Sequence, residues 1–452
     1  MRIAELAGQR VAIWGFGREG RAAIHALRLR VPELSLALYC GQAEAADAQA
    51  LDPALRVYAH EPDAVALSAY DVVIKSPGIS AYKPAIVTAQ AQGTRFTSGT
   101  ALWFAENSQA RVVAITGTKG KSTTTALLAH LARDLGVRTA LAGNIGLPLL
   151  ELLDRQADLW AIELSSFQTG EAGALELGVV TSLYEEHLDW HGSRERYVAD
   201  KLKLAQAANQ LLVNAEQSGL LEKTASHPRR RLFGHPDGWH VAEGFIRRGE
   251  TGVFALDKLS VPGAHNALNA CAALAALDIM GFDAVAAAPA LAHFRALPHR
   301  LQPLGERDGL QWVNDSISTT PLATLAALDS LHGREVTVIV GGHDRGLDWS
   351  PFVQSVAGRA TLRVVTQGAN GPRIAAALRA GRSSVPRGDV DKLDDAIEMA
   401  RTITPPGGVV LLSPGAPSFD QFHDYAERGR HFADIAGFDG KAITGIDGLG
   451  IA

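Results

Sequence analysis

Glycine, lysine and hydroxyl side chains crowd into Gly117-Thr118-Lys119-Gly120-Lys121-Ser122-Thr123, directly after the apolar run Val112 to Ile115. This is the composition of a phosphate cradle: the glycines let backbone N–H groups approach an anion, Lys121 reaches the outer phosphates, and Ser122 faces a magnesium ion. A helix follows, placed from Ala126 to Leu135, and its N-terminus favours negative charge. The spacing departs from the usual P-loop, because the residue five before Gly120 is Ile115 and not a glycine. An ordinary strand-to-helix turn has no need of this set of residues, so nucleotide binding is the better reading.

A cradle needs partners for its metal and its phosphates. Glu163 ends the apolar strand Leu159 to Ile162, and a carboxylate at the C-terminal edge of an α/β sheet lies beside the phosphate loop, where it could hold magnesium. Alone, a strand-terminal Glu is more often solvent-facing. The stretch Tyr184 to His191 packs three acids with His187 and His191. It suits metal binding or proton transfer, although a polar loop is the commoner explanation, and zinc is disfavoured with no cysteine nearby.

Nearer the start, Gly15-Phe16-Gly17-Arg-Glu-Gly20 follows a strand at Arg10 to Ile13 and precedes a helical pattern from Arg21 to Leu29. This is the dinucleotide fingerprint in its expected context. The acidic ribose ligand expected about 20 residues on is missing, since the second strand runs into Cys40-Gly41-Gln42. A Rossmann-like domain binding something other than NAD fits better than a dehydrogenase, which would also leave the second glycine-rich loop unexplained. Ser76-Pro77-Gly78-Ile79 forms a rigid turn that could present backbone donors to a phosphate.

The elements that must position these residues alternate between strand-like and helical runs almost throughout, which predicts an α/β fold with mainly parallel sheets. At 452 residues the length points to about three domains. Boundaries are expected at 1–108, 109–298 and 299–452. The segment His227 to Gly252 reads as short hairpins, and Asn266 to Leu277 as a helix. An apolar content of 47% and a net charge of −5 describe a globular chain without the basic field of a nucleic-acid binder. No apolar stretch is long enough for a membrane span, the start resembles a strand more than a signal peptide, and Cys40 and Cys271 frame no disulfide pattern. A cytoplasmic location is the expectation.

Taken in order, Gly117 to Ser122, Gly143-Asn144-Ile145-Gly146, Glu163 to Gln168, His187-Leu-Asp189, Lys201, His265-Asn266 with Asn269, Pro298-His-Arg300 and Asn314-Asp315-Ser316 resemble the Mur ligases. These are ATP-dependent enzymes that add amino acids to UDP-N-acetylmuramic acid in peptidoglycan synthesis. The resemblance covers essentially the whole chain. It implies an N-terminal Rossmann-like domain for UDP, a central P-loop-type ATPase and a C-terminal Rossmann-like domain. It also implies chemistry through an acyl phosphate: the γ-phosphoryl of ATP passes to the substrate carboxylate, and the amino-acid amine then attacks.

The resemblance further implies that Lys121 contacts the β/γ-phosphates, that Ser122, Glu163 and His187 hold magnesium, and that Lys201 is carbamylated and serves a second ion. Asn266, Arg300 and Asp315 align with residues around the nucleotide. Asn144, Ser165 and Gln168 align with contacts to the muramoyl part, and Gly15, Phe16, Gly17 and Ser76, Pro77, Gly78, Ile79 with the UDP pocket. Lys75 to Ile79 and Leu412 to Phe422 look most like the glutamate-adding members, with Thr319, Arg345, Ser418, Phe419 and Tyr425 as the amino-acid pocket.

The chain departs from the common D-glutamate pattern at Ile317, where a lysine is usual, and carries Arg345, which can pair bidentately with a carboxylate. With Thr100 to Glu106 and the ending after Ala436, these features resemble the L-glutamate-adding branch, whose product is inverted by a separate epimerase. The D-glutamate reaction is the alternative. UDP-N-acetylmuramoyl-L-alanine and glutamate are then the partners of a monomeric enzyme.

Overall fold

The computed structural model describes residues 1–184, 188–261, 263–381, 385–446 and 448–452. These form two compact units, one of Met1–Leu259, His265–Ala292 and Gly448–Ala452, the other of Ser260–Ala264 and His293–Asp447.

The first unit holds two largely parallel sheets. One runs Arg56–Tyr58, Leu36–Tyr39, Val11–Trp14, Val72–Lys75, Arg95–Thr97 in spatial order, all parallel. Its central strands are apolar on both faces because helices cover both. The helix after the Gly15 turn, Arg18–Arg30, sits so close to its strand that a Cβ on Gly20 would lie 2.0 Å from the Gly15 carbonyl oxygen. Only glycine permits that approach.

The other sheet runs Arg230–Phe233, Ala208–Asn214, Leu175–Val180, Val112–Thr116, Leu159–Glu163, Thr139–Gly143, all parallel, and closes with the antiparallel strand Gly450–Ile451. A shared core joins the two sheets: Trp103, on helix Gly99–Glu106, packs 4.6 Å from Trp160 of the second sheet. A small antiparallel meander, Trp239–Ala242, Phe245–Arg248 and Thr251–Ala255, accounts for the expected hairpins.

Two sequence expectations need correction here. The helix after the cradle starts at Lys121, not Ala126, so Lys121 and Ser122 stand in its first turn. The last residues, expected with 299–452, instead join the first unit: Arg133 donates to the carbonyls of Gly448 at 2.6 Å and Gly450 at 3.0 Å. A two-residue strand carries no periodicity that a sequence pattern could reveal.

The second unit is built on a sheet ordered Gln302–Arg307, Leu310–Asn314, Val409–Leu412, Val336–Val340, Leu362–Thr366, Arg387–Asp389, parallel except for the first strand. Helices Pro321–Ser330, Ser350–Val356 and Gly371–Ala380 cover one face. Helices Leu393–Ile403 and Tyr425–Ala436 cover the other. Among the described residues, no helix is long and apolar enough to cross a membrane.

Candidate active site

The cradle lies where the strand Val112–Thr116 hands over to the helix Lys121–Asp134, at the C-terminal edge of the sheet. Gly120 is the left-handed N-cap residue, with φ of 84°, and a Cβ there would sit 2.4 Å from Asn269 Oδ1. The loop is tied down from the neighbouring strand. Thr118 N–H donates to the Ser182 carbonyl at 3.0 Å, and Lys119 N–H to the Ser182 hydroxyl at 2.7 Å. Thr181 and Ser182 return hydroxyl bonds to the Lys119 carbonyl at 2.6 and 2.9 Å. Thr118 Oγ1 meets the Tyr197 hydroxyl at 2.7 Å. Gly117 thus belongs to a loop whose shape is held by its neighbours, and Lys121, Ser122 and Thr123 follow it in the first turn of the helix.

Glu163 falls beside this loop, as its strand end predicts: it is in register with Ile115 on one side and Gly143 on the other. It is 1% exposed, and its two carboxylate oxygens differ. Oε1 accepts from Asn144 Nδ2 at 2.9 Å, while the buried Oε2 has no hydrogen-bond partner. A buried acceptor without a donor is costly unless a cation meets it. A buried, unpartnered carboxylate oxygen suits a hard, oxygen-preferring cation such as magnesium. His187 lies outside the described residues.

Lys201 is 2% exposed on helix Arg194–Ala207, with Nζ 5.0 Å from the centre of the Tyr197 ring. Tyr197, Asp200, Lys201 and Leu204 are all buried, an i, i+3, i+4, i+7 stripe. Its two middle members are charged, so the letters alone do not mark Asp200 as buried, and the sequence reading passed over it. Asp200 contacts His191 Nδ1 at 2.7 Å, and His191 Nε2 lies 3.0 Å from the Ser166 hydroxyl. The carboxylate can only accept, so Nδ1–H donates to Asp200 and Nε2 accepts from Ser166. Burial holds the His191 pKa below its ordinary value. Burial alone would raise Asp200, but hydrogen bonds from Lys203, Tyr82 and His191 outweigh it and hold that carboxyl low.

Of the muramoyl-aligned residues, Ser165 and Gln168 are bonded to each other, and Asn144 to Glu163. Gln168 Oε1 accepts from the Ser165 hydroxyl at 2.8 Å, and Gln168 Nε2 donates to Thr100 Oγ1 at 3.0 Å. Asn144 N–H donates to the Glu163 carbonyl at 2.9 Å. In the first sheet, Gly15, Phe16 and Gly17 follow strand Val11–Trp14, and Ser76, Pro77, Gly78 and Ile79 turn after Val72–Lys75. The Ser76 hydroxyl is buried and unpartnered. Asn266 sits in helix Ala264–Ile279, and Asn269 Nδ2 reaches its side-chain oxygen at 3.4 Å.

In the second unit, three loops leave adjacent strands at one sheet edge. Asp315 is buried and accepts from the Leu301 N–H at 3.1 Å, from the Ser413 hydroxyl at 2.8 Å and from Ser318. Burial still pushes its pKa up to about 6, against those bonds and the nearby Arg300. Arg428, which the sequence reading overlooked, is fully buried and ties these loops together. It donates from Nε to the Ser316 hydroxyl at 3.0 Å and from Nη2 to the carbonyls of Ser316 at 2.8 Å and Ala416 at 3.0 Å. His343 N–H donates to the Pro417 carbonyl at 2.9 Å, and Ser316 to the Tyr425 carbonyl at 2.8 Å. Thr319 is half-buried, Arg345, Phe419 and Tyr425 are exposed, and the Ser418 hydroxyl is buried without a partner.

Comparison with known proteins agrees with this arrangement. Residues 115–277 match the Mur ligase middle domain and 299–415 the Mur ligase glutamate ligase domain. The chain is 51% identical to the UDP-N-acetylmuramoyl-L-alanine–L-glutamate ligase of Xanthomonas euvesicatoria pv. vesicatoria and 52% identical to that of Xylella fastidiosa, each over 100% of both chains. It is 40% identical to the enzyme of that name from a Micromonospora species, over 96% of this chain and 98% of the relative. Among solved structures, UDP-N-acetylmuramate-alanine ligase from Thermotoga maritima matches with a TM-score of 0.62 at 20% identity, covering 94% of this chain and 98% of that one. With the cradle, its neighbouring carboxylate and full-length relatives all in accord, the chain belongs to the Mur ligase family.

Proposed function

We propose that the protein joins L-glutamate to UDP-N-acetylmuramoyl-L-alanine at the expense of ATP, a step of peptidoglycan precursor synthesis. The observation that carries this reading is the full-length identity of 51–52% to enzymes of that name. A carboxylate is a poor electrophile, so its oxygen first takes the γ-phosphoryl of ATP. The glutamate amine then attacks the activated carbonyl, forming the amide bond as phosphate leaves. Both steps gather anionic oxygens, so cations and oriented donors must already be in place.

In this reading the cradle Gly117 to Thr123 orients the phosphates and Lys121 neutralises the outer ones. Glu163, whose Oε2 lacks a protein partner, would hold magnesium with Ser122 and His187. Such an ion would neutralise phosphate charge. A carbamate on Lys201 turns a buried cation into an anionic ligand for a second ion. Asn266, Arg300 and Asp315 serve the nucleotide. Gly15 to Gly17, Ser76 to Ile79, Asn144, Ser165 and Gln168 serve the UDP-muramoyl substrate, and Thr319, Arg345, Ser418, Phe419 and Tyr425 the amino acid. The functional division is 1–108 for UDP, 109–298 for ATP and 299–452 for glutamate, with the last strand lying outside that scheme. A monomer in the cytoplasm, feeding an epimerase that inverts the added glutamate, completes the reading.

The test supplies ATP, magnesium and UDP-N-acetylmuramoyl-L-alanine with each glutamate enantiomer in turn and measures phosphate release and product mass. Turnover with L-glutamate is expected. Faster turnover with D-glutamate would overturn the enantiomer, and no glutamate-dependent product would overturn the reaction.

A further inference from the structure

Helix Arg194–Ala207 carries Lys201 into the interior, and its rotation decides where that side chain ends. Consecutive helical residues point about 100° apart, so anchoring Asp200 fixes the azimuth of Lys201. The anchor is unusually complete. Asp200 accepts from the Tyr82 hydroxyl, 2.8 Å from both carboxylate oxygens, from His191 at 2.7 Å and from Lys203 at 2.7 Å. Its backbone carbonyl accepts from Thr169 Oγ1 at 2.7 Å. One turn earlier, Tyr197 hooks the same helix to Thr118 of the cradle.

Tyr82 lies in the connection that follows strand Val72–Lys75 of the other sheet of this unit, three residues beyond the turn Ser76 to Ile79. That segment is bonded to the same region twice more: Trp190 Nε1 donates to the Pro77 carbonyl at 3.1 Å, and the Ser80 hydroxyl to the Trp190 carbonyl at 2.6 Å. Only the Tyr82 bond, however, lands on the residue next to Lys201. The Tyr82 ring also packs edge-on to Trp190 at 5.8 Å and lies under Arg196 at 5.0 Å, so its hydroxyl is held in place.

From this geometry we infer that Tyr82 is a positioning residue for Lys201, acting through Asp200, and that it links the UDP-substrate segment to the second metal position. The inference rests on the metal-ligand role proposed for Lys201. Losing a hydrogen bond of this outer kind lowers metal affinity by roughly 10- to 100-fold.

The test uses the full chain in ¹³C-bicarbonate, reading the lysyl carbamate by ¹³C NMR and Mn²⁺ binding with ADP by EPR, for the parent, Lys201→Ala, Tyr82→Phe, Asp200→Asn and Ser80→Ala. The parent is expected to show a carbamate signal that Lys201→Ala removes. Tyr82→Phe and Asp200→Asn should lower that signal and weaken Mn²⁺ binding about 10-fold or more. Ser80→Ala, which removes the bond to the Trp190 carbonyl and the 3.3 Å bond from the Tyr82 backbone N–H but leaves the Tyr82 hydroxyl on Asp200, should leave both readings at the parent level. Parent-like values in Tyr82→Phe or Asp200→Asn overturn the inference, as does an equal loss in Ser80→Ala, which would indicate general loosening. A parent chain without a signal sensitive to Lys201→Ala overturns the Lys201 role itself, and the inference with it.

Discussion

The cradle of the first unit and the loop cluster of the second are both built at the C-terminal edge of a parallel sheet, yet they are finished differently. Around Gly117 to Ser122 the loop is held by Thr181 and Ser182, just past a neighbouring strand, and by Tyr197 on helix Arg194–Ala207, with Asn269 packed against Gly120. Around Thr319, Arg345 and Ser418 the backbone is held by Arg428, while the outermost side chains, Arg345, Phe419 and Tyr425, stand in solvent. A site for an invariant group such as a triphosphate gains from a rigid, preorganised shell. A site that selects one amino acid can vary its exposed side chains without disturbing the scaffold.

The largest expected effect breaks the first region at its metal. Glu163→Ala, and separately Lys201→Ala, should lower kcat by roughly 10³-fold on the proposed metal roles, since the ions would contribute several kcal/mol of charge stabilisation. Added short carboxylic acids should partly restore Lys201→Ala by replacing the proposed carbamate. Near-normal steady-state rates in either variant would remove that residue from the metal site.

The second region should reveal itself through pH. Burial lifts the Asp315 pKa to about 6 from 3.8, so the folded chain binds this proton more tightly than the unfolded chain. The resulting stabilisation is complete below about pH 4 and is lost as pH rises through 6, a difference on the order of 3 kcal/mol. Asp315→Asn should therefore melt higher than the parent at pH 8 and lose that advantage at pH 4. A difference in Tm that does not vary with pH would show that Asp315 is not held protonated.

Gly120→Ala sharpens the contrast from the other side. It places a Cβ in a left-handed conformation 2.4 Å from Asn269 Oδ1, at roughly 1–3 kcal/mol of strain. Thermal unfolding and ATP affinity should fall together, because loop and site are one structure there. Arg345→Ala should do the reverse. Loss of one charge-assisted contact, about 1.5–3 kcal/mol, should raise the KM for glutamate at least tenfold with Tm and the KM for ATP unchanged. A drop in Tm as large as that of Gly120→Ala would erase the distinction between the two regions.

Much of this was legible beforehand for identifiable reasons. The parallel sheets followed from alternating apolar strands and helices, and Glu163 from a strand ending beside the cradle strand. The Gly20 approach was implied by its fingerprint. Lys201 came from its place in the ordered set of motifs, whereas its neighbour Asp200 was not read as part of the site, because a charged residue in a helical run looks solvent-facing. Arg428 was harder, because a buried arginine looks like any helical arginine until its acceptors, the carbonyls of Ser316 and Ala416, are known.

The sequence by itself determined the chemistry available: a loop able to hold phosphates, a carboxylate and a lysine at fitting intervals, and an ordered set of motifs. Those are properties of residue type and local spacing, which the chain carries wherever it goes. Only the tertiary structure decided that Glu163 keeps one oxygen unpartnered, that Gly450–Ile451 completes the cradle sheet, and that Tyr82 meets Asp200. The last two depend on groups far apart in the chain being brought within 3 Å or so, and the first on no donor being brought there; neither leaves a periodic trace in the letters.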